Sequence, residues 1–116
     1  MVTIVTGIEL KQGREQEWDT AMQERMAAVR DQPGWVGGQM LQPEGDPARR
    51  LIVGTWQTQD DWKRWHDDPQ FATTREELDE LTAGSEEHAW YGVVLDVRPA
   101  KQAATPKRSA ARPKRA

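Results

Sequence analysis

Residues 55–71 read TWQTQDDWKRWHDDPQF and carry three of the chain's six tryptophans, Trp56, Trp62 and Trp65. An indole offers a flat apolar face and one N–H donor, so such a cluster either packs a small core or walls a pocket for something planar. Trp62 and Trp65 stand three apart on a helical pattern and share a face, so at least one of them must meet the core. Other groups with chemistry are few. Thr6 shares a strand face with Ile4 and Ile8, where its hydroxyl either anchors a substrate oxygen or is satisfied locally. Arg75 follows Phe71 by one helical turn and either holds an anionic oxygen or carboxylate or pairs with Asp79 at i+4. His66 comes directly after Trp65 and so points about 100° away around the helix, which reads as a surface histidine among Asp67 and Asp68. His88 opens the last strand, at the rim of any pocket. No carboxylate stands out as a base, because EELDE and the DD pairs have the pattern of a solvated helix face.

Several chemistries are excluded outright. With no cysteine among 116 residues, the chain has no disulfide scaffold, thiolate zinc site, iron–sulfur cluster or cysteine nucleophile. The two histidines lack metal spacing, and neither a phosphate-binding glycine loop nor a nucleophile elbow occurs. No apolar run reaches the length of a membrane span, and the start MVTIVTGIELKQG alternates like a strand, without a signal core. A soluble cytoplasmic protein is the expectation.

The formal charge of −3 conceals an asymmetry. Positions 1–100 hold all 19 acidic residues and ten basic ones, giving −9, while positions 101–116 hold six basic residues and no acidic one, giving +6. The segment KQAATPKRSAARPKRA has no apolar side chain larger than alanine and cannot offset its ordering entropy by burial. The expected organisation is one domain over residues 1–99 and a disordered basic tail over 100–116. Contact with nucleic acid is expected only through the tail's attraction to phosphates.

The elements that position these groups follow from periodicity. Residues 2–11 alternate as a strand, with Val2, Ile4, Thr6, Ile8 and Leu10 on one face. Beyond Gly13 the spacing of Trp18, Ala21, Met22, Arg25, Met26 and Val29 is that of an amphipathic helix, stopped by Pro33 and Gly34. WVGGQMLQ and RLIVGTW form a hairpin across PEGDPAR. Thr58 caps a short helix, Pro69 begins a second helical segment running through Phe71, Leu78 and Leu81, and HAWYGVVLDV is a final strand. The order β-α-β-β-α-β predicts an α+β ferredoxin-like fold with an antiparallel sheet and the helices on one face.

The strand faces carry a second expectation. Leu51 and Val53 oppose Ile52 and Trp56, and Trp90 and Val94 oppose Tyr91, Val93, Leu95 and Val97, so both faces are apolar. Helices cover one face of such a sheet, and the other is expected to pack against a second copy, face to face, as a homodimer. Trp56, opposite Leu51 and Val53, is assigned to the dimer side. Trp18, Trp35 and Trp90 suit ordinary core or boundary positions.

PGWVGGQML, IVGTWQTQDDWKRWHDDPQF and WYGVVLDV together resemble the antibiotic biosynthesis monooxygenase (ABM) domain family over about residues 2–97. The shared features are a proline–glycine turn into the second strand, a third strand ending in tryptophan, and a helix of acidic-x-aromatic-x-x-tryptophan form followed by an acidic, proline-containing break and a phenylalanine. The resemblance implies a dimeric α+β barrel with a pocket in each subunit between sheet and helices. Some members of the family it resembles oxidise polycyclic phenols to quinones with dioxygen and no cofactor, a related branch binds and degrades haem, and others have no established role. The haem-degrading branch uses an asparagine on the first strand, a helix tryptophan and, some nine or ten residues on, an iron-binding histidine. The tryptophan maps onto Trp65, but Thr6 replaces the asparagine and Thr74 or Arg75 the histidine, and neither supplies an iron ligand.

The resemblance thus points to a monooxygenase acting on a small aromatic, phenolic substrate with dioxygen and no cofactor, haem being the alternative. Trp65, Thr6 and Arg75 are the candidate catalytic residues. Trp65 serves as wall and donor, with Trp62 and Trp56 behind it, and Trp62, Phe71, Thr74 and His88 are assigned to substrate binding. No metal ligands are expected. A protein that keeps the pocket only to sequester a ligand is the reading from a different class.

Overall fold

A computed structural model of the chain describes residues 1–84 and 86–100, so the basic tail, apart from Ala100, lies outside the described residues. Its elements are β1 (Val2–Glu9), α1 (Glu15–Val29), β2 (Trp35–Leu41), β3 (Arg49–Trp56), α2 (Gln59–His66), α3 (Pro69–Leu81) and β4 (Glu87–Gly92). The four strands pair antiparallel in the order β2-β3-β1-β4, which is the ferredoxin-like α+β topology expected from the pattern. Among the described residues no helix is long and apolar enough to cross a membrane.

Local chemistry accounts for the helix boundaries. Thr58 accepts from the Asp61 backbone N–H, while the Asp61 side chain accepts from the Thr58 N–H in return, a reciprocal cap that starts α2. Asp68 accepts from the Gln70 N–H at 2.8 Å, and Pro69, which has no N–H to leave unpaired, takes the first position of α3. The break between α2 and α3 is thus written into HDDPQ.

The core lies between the sheet and the helices. One cluster gathers Ile8, Leu10, Trp18, Ala21, Met22, Leu78 and Leu81, and a second gathers Val29, Trp56, Trp65 and Phe71. Trp18 and Trp56 are the largest side chains buried completely. The assignment of Trp56 to a dimer side is therefore corrected. The face of β3 turned to the helices carries Arg50, Ile52, Gly54 and Trp56, and it is Leu51, Val53 and Thr55 that face away. Glycines make the room this requires. Trp35 lies edge-on to Trp56 at 5.1 Å, and a Cβ at Gly38 would stand 2.6 Å from the Trp35 ring. Arg50 is buried on the same face but fully partnered, donating to both carboxylate oxygens of Asp19 at 2.9 and 3.0 Å and to the Pro47 and Arg49 carbonyls.

Among the described residues no helix lies over the other face of the sheet. Tyr91 is 57% exposed and Leu41 41%. The final strand is also shorter than expected, ending at Gly92 instead of Val97. The reason lies in the register: Gly92 pairs with Val2, and after Val93 donates to the Met1 carbonyl the partner strand has run out. Val94, Leu95 and Val97 are left exposed, Val94 almost entirely.

Candidate functional site

A cavity of about 200 Å³ lies between the sheet and the helices. β1 contributes Thr6 to its floor and β4 contributes His88; α1 contributes Arg25; α2 contributes Trp62, Trp65 and His66; α3 contributes Phe71 and Arg75. Six of the seven residues assigned from the sequence are thus brought together. Thr74 is not. Its hydroxyl is buried, accepts from Arg25 Nε at 2.9 Å and donates to the Phe71 carbonyl at 3.2 Å, so its hydrogen bonds are used within the protein.

The aromatic wall is built by edges and faces in turn. Trp65 meets Phe71 edge-on at 5.7 Å, and Trp62 meets Trp90 edge-on at 5.0 Å. These are the arrangements the ring quadrupoles favour. The sheet floor carries a polar chain. Thr6 and His88 pair directly across β1 and β4, and Thr6 Oγ1 lies 3.0 Å from His88 Nδ1. His88 Nε2 lies 3.5 Å from Glu86 Oε1. A carboxylate only accepts, so it favours the tautomer with the proton on Nε2, and Nδ1 is then free to accept from the Thr6 hydroxyl. The hydroxyl is hydrogen-bonded to the imidazole and a carboxylate lies 3.5 Å from the ring's other nitrogen, and a proton can move from hydroxyl to imidazole across such a contact.

His66 corrects the surface assignment. Its ring lines the cavity, packed against Trp62 at 3.9 Å and Phe71 at 4.1 Å. Its Nδ1 lies 2.9 Å from the Trp62 carbonyl, which can only accept; Nδ1 therefore carries the hydrogen and Nε2 the lone pair. The angle from Trp65 was the wrong guide, because His66 follows Trp62 by four residues and shares its face. Burial pushes the imidazole below its usual value; the Trp62 carbonyl opposes this, and the charges of Arg25 and Arg75 add to it.

A pH dependence follows. The denatured chain takes up the His66 proton first, near pH 6.5, so the contribution of the neutral ring to stability is complete above about that value, declines as the pH falls below it, and is gone, with no further change, once the depressed folded value is passed. His66→Gln is expected to flatten the fall in unfolding free energy between about pH 7 and about pH 5 in urea titrations. An unchanged slope would show that the folded environment does not disfavour the charged ring.

Arg25 and Glu86 also line the cavity and were not assigned to it from the sequence. The Arg25 guanidinium stacks 3.8 Å above the Phe71 ring, and that of Arg75 lies 5.0 Å from the same ring. Among the described residues neither has a carboxylate within ion-pair distance, so the alternative in which Arg75 pairs with Asp79 is not realised. The signal was a cation in the middle of the apolar stripe of α1. Glu86 had a weaker one, standing two residues before His88 in an extended segment.

The comparisons agree with this architecture. The sequence profile described as antibiotic biosynthesis monooxygenase matches residues 1–77, well over half of the chain, and the protein belongs to that family. The matched region ends within α3, short of the expected limit at residue 97. The heme oxygenase (mycobilin-producing) of Mycobacterium tuberculosis is 27% identical over 96 residues, covering 83% of this chain and 91% of that protein. A protein from Nitrosomonas europaea assigned to the antibiotic biosynthesis monooxygenases has a TM-score of 0.77 at 18% identity, covering 82% of this chain and 100% of that one. SnoaB, a cofactor-independent oxygenase from Streptomyces nogalater, has a TM-score of 0.71 at 23% identity, covering 82% and 94%. At these identities the structural likeness is one of fold.

Proposed function

We propose that the protein is a cofactor-independent monooxygenase that oxidises a small phenolic aromatic with dioxygen. The observation that carries the reading is the chain Glu86–His88–Thr6 opening on an indole-walled cavity. A neutral phenol gives up an electron to dioxygen poorly, and its phenolate does so readily, so the protein's first task is to remove a proton. In the proposed path the substrate hydroxyl passes its proton to Thr6 Oγ1 as the Thr6 proton passes to His88 Nδ1. The His88 side chain is 40% exposed and can pass the proton on to water. The indoles exclude water and offer N–H donors to the ring oxygen. When the ring C–H para to the phenolate becomes C=O and the phenolate carbon–oxygen bond becomes the second C=O, one atom of dioxygen enters the quinone and the other leaves as water with that ring hydrogen and the phenolic proton, so the substrate supplies all four electrons.

The same reading holds that the working unit is a homodimer. Its support is the apolar outer face of the sheet, with Tyr91 and Leu41 uncovered and Val94, Leu95 and Val97 beside them. Covering that face would bury apolar surface that no described element of the protomer reaches.

Haem is the second reading, favoured by one observation beyond the curated relative: His66 Nε2, an unprotonated nitrogen at the cavity. The cavity does not fit the group. At about 200 Å³ it is below the ~300–1,000 Å³ of sites for drug-sized ligands, and a tetrapyrrole is larger than most of these. Oxygen uptake with a panel of hydroquinones and anthrones, with haemin titration alongside, tests both. Uptake without added cofactor, reduced in Trp65→Phe, and a Soret band unchanged from that of free haemin are expected. A shifted, saturable Soret band would favour haem, and no uptake with any phenol would favour a sequestering protein.

A further inference from the structure

We propose that the substrate is an aromatic acid, its carboxylate held by Arg25 and Arg75 on the helical wall while its hydroxyl meets Thr6 on the sheet. This rests on the reading of the cavity as a phenol-oxidising site and adds the class of substrate. Arg25 comes from α1 and Arg75 from α3, yet both guanidinium groups approach one ring, Phe71. Like charges gathered on one wall repel, and no carboxylate of the described residues is in contact with either. Asp79 and Glu86 also line the cavity and partly offset the charge from a distance. The His66 ring, whose charged form burial disfavours, adds none.

Arg25 is held in place. Nε donates to Thr74 Oγ1 at 2.9 Å and Nη2 to the Phe71 carbonyl at 3.3 Å. These use two of the five N–H donors of a guanidinium and leave the others without a protein anion. Half-burial with no ion-pair partner is unfavourable for a cation, and burial pushes Arg25 down to about 10, Glu86 and Asp79 raising it and Arg75 lowering it. An anion in the cavity would relieve both the repulsion and the desolvation. A carboxylate matches the planar fork and can bridge the two groups. The cavity volume suits one or two fused rings, with the acid toward the helices and the hydroxyl toward β1 and β4.

The test is an equilibrium titration of the full chain under argon, followed by tryptophan quenching, with 6-hydroxy-2-naphthoate against 2-naphthol. The acid is expected to bind at least ~10-fold tighter, about 1.4 kcal/mol. The advantage should shrink below about twofold in Arg25→Gln and Arg75→Gln, survive in part in Arg25→Lys, and weaken as salt is raised. Equal binding of the two ligands, no measurable binding of the acid, or an advantage that persists in both glutamine variants would overturn the proposal. The lysine variant and Arg75→Gln keep the test decisive if Arg25→Gln does not fold. Because no turnover is involved, the two readings fail separately. Equal binding with oxygen uptake sinks the carboxylate site and leaves the oxygenase, while preferential binding without uptake does the reverse.

Discussion

His88→Gln is expected to lower kcat for phenol oxidation by ~10²–10⁴-fold, the range for loss of a positioned general base, while changing KM little. Thr6 and His88 are brought together by strand register, and the 3.0 Å contact leaves the hydroxyl oxygen able to accept from a substrate. Glutamine keeps polarity and approximate length but cannot take up the proton. Thr6→Val should produce a comparable loss by interrupting the path, whereas Thr6→Ser, which keeps the hydroxyl, should retain most of the rate. Added imidazole should restore part of the activity of His88→Gln and none in Thr6→Val. Such a split between kcat and KM is the mark of an interaction made in the transition state. A kcat for His88→Gln equal to that of the unaltered protein would remove the relay, and with it the support for phenol deprotonation here.

Trp56→Ala is the second large effect, with an expected loss of ~3–5 kcal/mol in unfolding free energy, the cost of truncating a buried indole. The side chain is 2% exposed in the lone protomer and sits in a cluster with Val29, Trp65 and Phe71, against the edge of Trp35. Its removal would leave a void that the sheet backbone cannot close. Urea unfolding of the two proteins side by side, read from the midpoint at equal slope, measures the difference. A loss under about 1 kcal/mol, the ordinary scale of a surface change, would place the indole outside the protomer core.

The two histidines show how much of the site could be read without coordinates. His88 was legible, because a polar residue opening an apolar strand stands near a sheet end wherever that strand pairs. Its partner Thr6 was legible as a candidate too, but the bond between them was not. That contact spans 82 positions and depends on which residues of β1 and β4 face each other. His66 was misread because its nearest aromatic neighbour in sequence is not its neighbour in space. On a helix the side chain four residues back is closer than the one beside it, so Trp62 and not Trp65 locates the imidazole. Arg25 was placed on the apolar face of α1 correctly, yet nothing local could say that Arg75 would approach the same phenylalanine ring from another helix.

By itself the sequence determined the order and type of the elements, the N-cap at Thr58, the break at Pro69 and the absence of thiolate chemistry. Each of these depends on residues a few positions apart, through backbone periodicity, local hydrogen bonding or composition. Tertiary structure alone decided which face of β3 the helices cover and which side chains share the cavity. An apolar strand with two greasy faces reads the same when turned over, so alternation cannot choose between Leu51 and Trp56. The choice fell to packing: Gly38 makes room for Trp35 beside Trp56 on the helix side, and the register of four strands then carries Thr6 to His88.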